Sequence, residues 1–223
     1  MKRIISILLL FFVLASGGVS FAADRWVTVE STQDYSRYID SQTIAYNKAD
    51  NSVMYWIKVQ NSRYTFLEQY ICYLGQKKRR SLRSVTYKQG VLQRSTDNPG
   101  QYGVNIYPDS SGEKEVNAVC SIIGTAPIFG VSTHHWKWFY STDQITYTIC
   151  VDQKDYDPTT GRALIYVKKT YLNGSHWTQA YVCNLKENTI TTAVDESNND
   201  QKYIVPDSIE ERIFNAAVSL CRQ

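Results

Sequence analysis

Val53-Met54-Tyr55-Trp56-Ile57-Lys58 and Ala163-Leu164-Ile165-Tyr166-Val167-Lys168 are one apolar segment written twice, 110 residues apart. In the first copy Tyr55, Ile57 and Val59 fall on one alternating face, and Met54 and Trp56 on the other. A run that is apolar on both faces reads as a central strand covered on both sides. Outward from this pair the correspondence continues in order. At the same offset Trp26-Val27-Thr28-Val29-Glu30-Ser31-Thr32 aligns with Trp136-Lys137-Trp138-Phe139-Tyr140-Ser141-Thr142. Gln69-Tyr70-Ile71-Cys72 meets Ala180-Tyr181-Val182-Cys183, and Ile106-Tyr107-Pro108-Asp109-Ser110 meets Ile204-Val205-Pro206-Asp207-Ser208. Both copies close on an Asn-Ala segment ending in cysteine, Asn117 to Cys120 and Asn215 to Cys221. Landmarks recurring in one order predict a tandem duplication.

Within each copy the local signals alternate between strand and turn. Tyr64, Phe66, Tyr70 and Cys72 share one face of a second strand, which Trp177, Tyr181 and Cys183 repeat. Arg80 to Lys88 reads as a further strand, and Asn61-Ser62 and Asn173-Gly174 as turns. Each copy then offers a helix start. Ser110 and Ser208 stand at N-cap positions, with Glu113 and Glu211 three residues on, a capping box in both. Ile209, Ile213, Ala217 and Leu220 form an apolar stripe with Phe214, Val218 and Cys221 beside it. The predicted fold class is α+β: two tandem units, each an antiparallel β-sheet with a C-terminal α-helix. A cysteine on a strand face and another on a helix face in each unit predict two disulfides, Cys72 with Cys120 and Cys183 with Cys221. Each would tether a helix to its sheet and contribute roughly 4 kcal/mol by constraining the unfolded chain. Cys150 is the odd thiol and falls where Asp40 stands in the first copy. It reads either as an intermolecular link or as a buried free thiol between Ile149 and Val151.

The first 22 residues carry Lys2 and Arg3, an apolar run from Ile4 to Ala15, and small residues up to Ala22. They read as a secretory signal peptide cleaved after Ala22, too short in its apolar run to span a bilayer. The expected organisation is a signal peptide at 1–22, a first unit at 23–121, a linker at 122–135 and a second unit at 136–223. The expected location is outside the cytoplasm, in the periplasm or at the cell surface or beyond, where cysteines pair. Setting aside Lys2 and Arg3 leaves 22 basic against 21 acidic side chains. That balance argues against a nucleic-acid binder, which concentrates positive charge.

The order of these words resembles the surface-adhesin E-like domain of exported bacterial proteins. The resemblance lies in Tyr38-Ile39-Asp40, the Tyr55-Trp56-Ile57-Lys58 strand, Cys72 followed by Arg79 and Arg80, and Pro108-Asp109-Ser110 leading to Cys120. It covers the first copy from about Trp26 to Cys120; the second copy lacks the Asp and the arginine pair. The resemblance implies an antiparallel sheet with a disulfide-tethered helix. It also implies adhesion, meaning the binding of host matrix or plasma proteins.

Candidate binding residues follow from charge and aromatic content. Lys77, Lys78, Arg79 and Arg80, with Arg83 and Lys88, are the most concentrated charge in the chain, and Trp56 is the adjoining aromatic. On a strand edge such a cluster suits an acidic macromolecule or an extracellular protein, or else keeps edges from pairing. Catalytic signals are poor. His134 or His135 with Cys150 would make a Cys-His couple that nothing else in the sequence supports. Asp152, Asp155 and Asp157 lie in a turn-like run. No phosphate-cradling glycine loop and no Cys-x-x-Cys or clustered-His spacing is present. No cofactor and no metal is expected. The expected function is non-enzymatic binding. The alternative is a structural, envelope-associated periplasmic protein whose only partner is itself, as a homodimer.

Overall fold

The computed structural model describes residues 25–100, 103–131, 133–193 and 202–222. The leader expected at residues 1–22 lies outside them. The first sheet holds β1 (Trp26–Ser31), β2 (Ser36–Asp40), β3 (Ala45–Asn47), β4 (Ser52–Gln60), β5 (Tyr64–Tyr73), β6 (Lys78–Lys88), β7 (Val91–Asp97) and β8 (Val104–Asn105), followed by helix α1 (Ser111–Ile123). The second holds β9 (Trp136–Ser141), β10 (Ile145–Asp157), β11 (Arg162–Tyr171), β12 (His176–Asn184), β13 (Thr189–Thr192) and β14 (Lys202–Tyr203), followed by α2 (Ile209–Cys221). All pairings are antiparallel, in the orders β1-β2-β4-β5-β6-β7 and β9-β10-β11-β12-β13-β14. Of the described residues 52% are strand and 16% helix. The α+β expectation is corrected accordingly: the protein is mainly antiparallel β, with a single helix laid against each sheet.

The two sheets share one plan down to single residues. Val53 pairs with Cys72 across β4 and β5, as Ala163 pairs with Cys183 across β11 and β12. Trp26 stands opposite Asp40, and Trp136 opposite Cys150. The capping serines act as the sequence suggests, Ser110 and Ser208 accepting the N–H groups of Glu113 and Glu211. The return bonds differ from the usual box. Each Glu accepts the N–H of the preceding Asp109 or Asp207, because both Asp residues turn the chain with positive φ.

Each helix buries its apolar stripe on the face of β-strand residues that alternate inward. In the first unit Val116, Val119 and Cys120 meet Ile39, Val53, Tyr55, Ile57 and Cys72. In the second, Ile213, Phe214, Ala217 and Leu220 meet Ala163, Ile165, Val167 and Cys183. The disulfide expectation is overturned: Cys72, Cys120, Cys150, Cys183 and Cys221 are all free thiols. Burial pushes Cys72 and Cys183 up to about 12, so they pack as small protonated hydrophobes. Packing and ion pairs hold the helices. Glu115, wholly buried on α1, accepts from Arg37 of β2 and Arg79 of β6, and Lys114 reaches Glu30 at 2.6 Å. On α2, Arg212 lies over the Tyr140 ring at 5.6 Å, and Lys154 donates to the Leu220 carbonyl at 2.7 Å.

Asp40, one of the residues behind the family resemblance, has a structural job at the start of the sheet. Burial alone would raise its carboxyl. Two bonds from Arg25, at 2.9 and 2.6 Å, the Gln42 N–H and the Thr43 hydroxyl outweigh burial and hold it below the usual range. A depressed folded value means that its stabilisation is present above the unfolded carboxylate range, near about 3.9, and is lost as pH falls through the folded value. Asp40→Asn is therefore expected to lower the urea midpoint at pH 7 and to narrow the gap between the midpoints at pH 7 and pH 3. A gap of unchanged size would remove Asp40 from the acid response.

Candidate functional site

The chain after α1 does not leave the first unit as a loose tether. Gly124 ends the helix in the left-handed conformation, and Asn117 Oδ1 accepts the Ile128 N–H at 2.9 Å. Ile128 and Val131 pack on the first core, and Phe129 is buried in it. From there aromatic rings cross to the second sheet. Phe129 meets Tyr166 edge-on at 6.2 Å and His134 at 5.5 Å, and Tyr107 tilts against Tyr166 at 6.1 Å. Cys150, Tyr166 and Ala180 thus lie beneath Tyr107 and Trp136. The face of the second sheet away from α2 is covered here by the first unit.

Polar groups lock the same seam. The turn before α1 places Asp109 so that Oδ2 accepts both Trp136 Nε1–H, at 2.9 Å, and the Lys168 ammonium, at 2.6 Å. Glu113, in the first turn of α1, bonds His134 Nε2 at 2.7 Å. The His134 side chain is only 1% exposed, and its Nδ1 has no hydrogen-bond partner. Opposite it β10 breaks register. Ile149 pairs with Val167 but Lys154 with Ile165, so residues 150–153 bulge against Tyr166. Bulges of this kind re-aim side chains and gather near functional sites. Asp152, in the bulge, accepts the His135 N–H at 2.5 Å, and His135 Nδ1 lies 3.1 Å from the same carboxylate. Those contacts hold the Asp152 carboxyl below its ordinary range, the His135 N–H contributing most.

The bulge brings Cys150 and Asp152 to His134: one ligating atom from each lies within 4.8 Å of the others. The sequence offered Cys150 with His134 or His135 only as an unsupported couple. The structure joins Cys150 to His134 and gives His135 to Asp152. Burial pushes the Cys150 thiol up to about 11, although the Gln153 and Asp152 N–H groups favour its charged form. A buried, protonated thiol is a poor nucleophile at neutral pH.

Beside this cluster a cleft of about 380 Å³ opens between the units, lined among others by Lys77, Lys78, Tyr107, Gln153, Asp155 and Tyr166. The basic run predicted as one patch divides about the first sheet. Lys78, Arg80 and Arg83 pair with Tyr73, Ile71 and Gln69, which puts them on the face away from α1, shared with Trp56. Arg79 is corrected as a binding residue: it pairs with Cys72 on the helix side, and Glu115 takes its guanidinium. Lys88 is exposed but lies on that helix side, a second departure from the single patch. Lys77 sits over the Phe129 ring at 4.7 Å, and Arg83 makes an exposed pair with Asp97 at 3.2 Å. Among the described residues no helix is long and apolar enough to cross a membrane. No known protein family and no curated protein matches the chain.

Sequence reasoning missed Asp109, Glu113 and Phe129 as seam residues. The signal was there in part: Asp109 and Glu113 carry the helix start, and capping consumed the whole of that reading.

Proposed function

We propose that the protein is an exported, non-enzymatic binding module that docks an acidic macromolecule on the open face of its first sheet. One observation carries this reading. Trp56 and Tyr166 hold the same position in the two units, yet Tyr166 is covered by the other unit, whereas Trp56 is half-buried on a face that has no such cover among the described residues. That face presents Trp56, Leu67 and Ile71 beside Lys78, Arg80 and Arg83. Aromatic and aliphatic contact with a basic margin suits an acidic partner, the charges steering association and setting orientation. Periplasmic or cell-surface residence, and the adhesive role implied by the family resemblance, belong to the same proposal.

Heparin serves as the polyanionic probe. A variant with Lys78, Arg80 and Arg83 all changed to Ala is expected to elute from heparin resin at clearly lower salt than the parent. Lys88→Ala, altered on the opposite face, is expected to elute with the parent. Equal elution of the triple variant and the parent would sink the basic-face reading.

A further inference from the structure

We infer that His134, Cys150 and Asp152 form a binding site for a divalent transition metal, zinc being the best match, at the seam between the units. The ligating atoms already lie within 4.8 Å of one another, so a modest contraction brings them to the spacing of a tetrahedral ion with Zn–S near about 2.3 Å and Zn–N near about 2.0 Å. A thiolate, an imidazole and a carboxylate together are a donor set that zinc accepts and that magnesium or calcium do not favour.

The second observation is the state of the histidine. Its Nε2 faces a Glu113 carboxylate oxygen at 2.7 Å. A carboxylate accepts, so Nε2 carries the proton and Nδ1 presents its lone pair. That Nδ1 is buried and finds no partner, in a side chain 1% exposed. An unsatisfied buried acceptor is costly, and metal ligation is one way to satisfy it. Glu113 then acts as the outer carboxylate that orients a ligating histidine, and His135 orients Asp152 in the same manner through two contacts. The neighbouring trio Asp109, Glu113 and His134 also lies within 4.8 Å. In that trio, however, Asp109 Oδ2 already accepts from both Trp136 and Lys168, and the two Glu113 oxygens meet the Asp109 N–H and His134 Nε2. Binding replaces the Cys150 S–H bond by a sulfur–metal bond and releases that proton to solvent. Three protein donors leave one tetrahedral position for water or a ligand.

Cobalt(II) titration of the purified, reduced protein reads the site directly. The expected result is one equivalent bound, with a thiolate-to-cobalt charge-transfer band and the visible bands of a tetrahedral ion, all displaced by one equivalent of zinc. Cys150→Ser keeps the volume of the side chain and is expected to lose the charge-transfer band. Glu113→Gln keeps the band and is expected to weaken binding about 10- to 100-fold, the range for an outer-shell partner. Absence of stoichiometric binding in the parent protein would overturn the inference. So would an undiminished charge-transfer band in folded Cys150→Ser, since the metal would then sit on other thiols.

Discussion

Glu115→Ala is expected to cost about 3–5 kcal/mol, the loss seen when one member of a buried ion pair is removed. Glu115 is wholly buried, and Arg37 and Arg79 keep only 16% of their side chains exposed. Truncating the carboxylate leaves two largely buried guanidinium groups without their shared partner. Against a typical folding free energy of about 5–15 kcal/mol, that is about a fifth of the whole or more. The second unit shows how the same volume is filled without charge. Counted from the capping glutamates, Glu115 corresponds to Ile213. Arg79, opposite Cys72, corresponds to Ile190, opposite Cys183. Arg37, opposite Val59, corresponds to Tyr147, opposite Lys169. Tyr147, Ile190 and Ile213 all belong to the second apolar core. Replacing a buried ion network by matched hydrophobes is often neutral or stabilising. The triple variant Arg37→Tyr, Arg79→Ile, Glu115→Ile is therefore expected to recover most of what Glu115→Ala loses, in urea unfolding followed by circular dichroism. If Glu115→Ala costs under about 1 kcal/mol, the triad is not closed in solution.

That comparison shows what could be read from the chain and what could not. The spacing of 110 residues set the central strands, the first hairpins and the equivalence of Asp40 with Cys150, because a strand's register is fixed by period-two patterning. Strand alternation placed Cys72, Tyr70 and Phe66 on one face, where β5 has them. The arginine pair is absent from the second copy, and for Arg79 that absence is a swap in the core, where it disappears together with its carboxylate. Charge sequence alone cannot tell an inward arginine from an outward one until the facing helix residue is known. The fold class failed for a related reason. Two well-capped helices drew weight that belongs to strands such as β3, β7 and β13, which are short or polar and carry little pattern. The disulfides were inferred from shared faces, and a shared face is a weaker condition than the Cα spacing a bridge demands. Of the His134–Cys150–Asp152 cluster the sequence offered only Cys150 with His134 or His135; Asp152 was not joined to them because the members meet through a bulge and a connecting loop, neither of which leaves a fixed sequence spacing.

The seam on which that cluster depends can be tested through one ring. Tyr166→Ala is expected to cost about 3–5 kcal/mol, the range for deleting a large buried aromatic. Tyr166 is 9% exposed, met by Tyr107 at a tilt and by Phe129 edge-on, and aromatic pairs add about 0.5–1.5 kcal/mol beyond the area they bury. Its counterpart Trp56 is the larger side chain, yet Trp56→Ala is expected to cost only about 1–2 kcal/mol, since part of its ring stays in water in the folded state. The size of the side chain thus predicts one order of effects and the covering of the face predicts the opposite order. Hydrogen exchange adds the location. With Tyr166→Ala, the amides of His135 and Val151, which join the loop to β10, are expected to lose protection, while those of Val116 and Val119 in the first core keep theirs. Equal losses at the two positions, or a greater loss at Trp56, would mean that the two units do not pack across Tyr166 in solution. The cleft and the metal cluster would then lose the surface that assembles them.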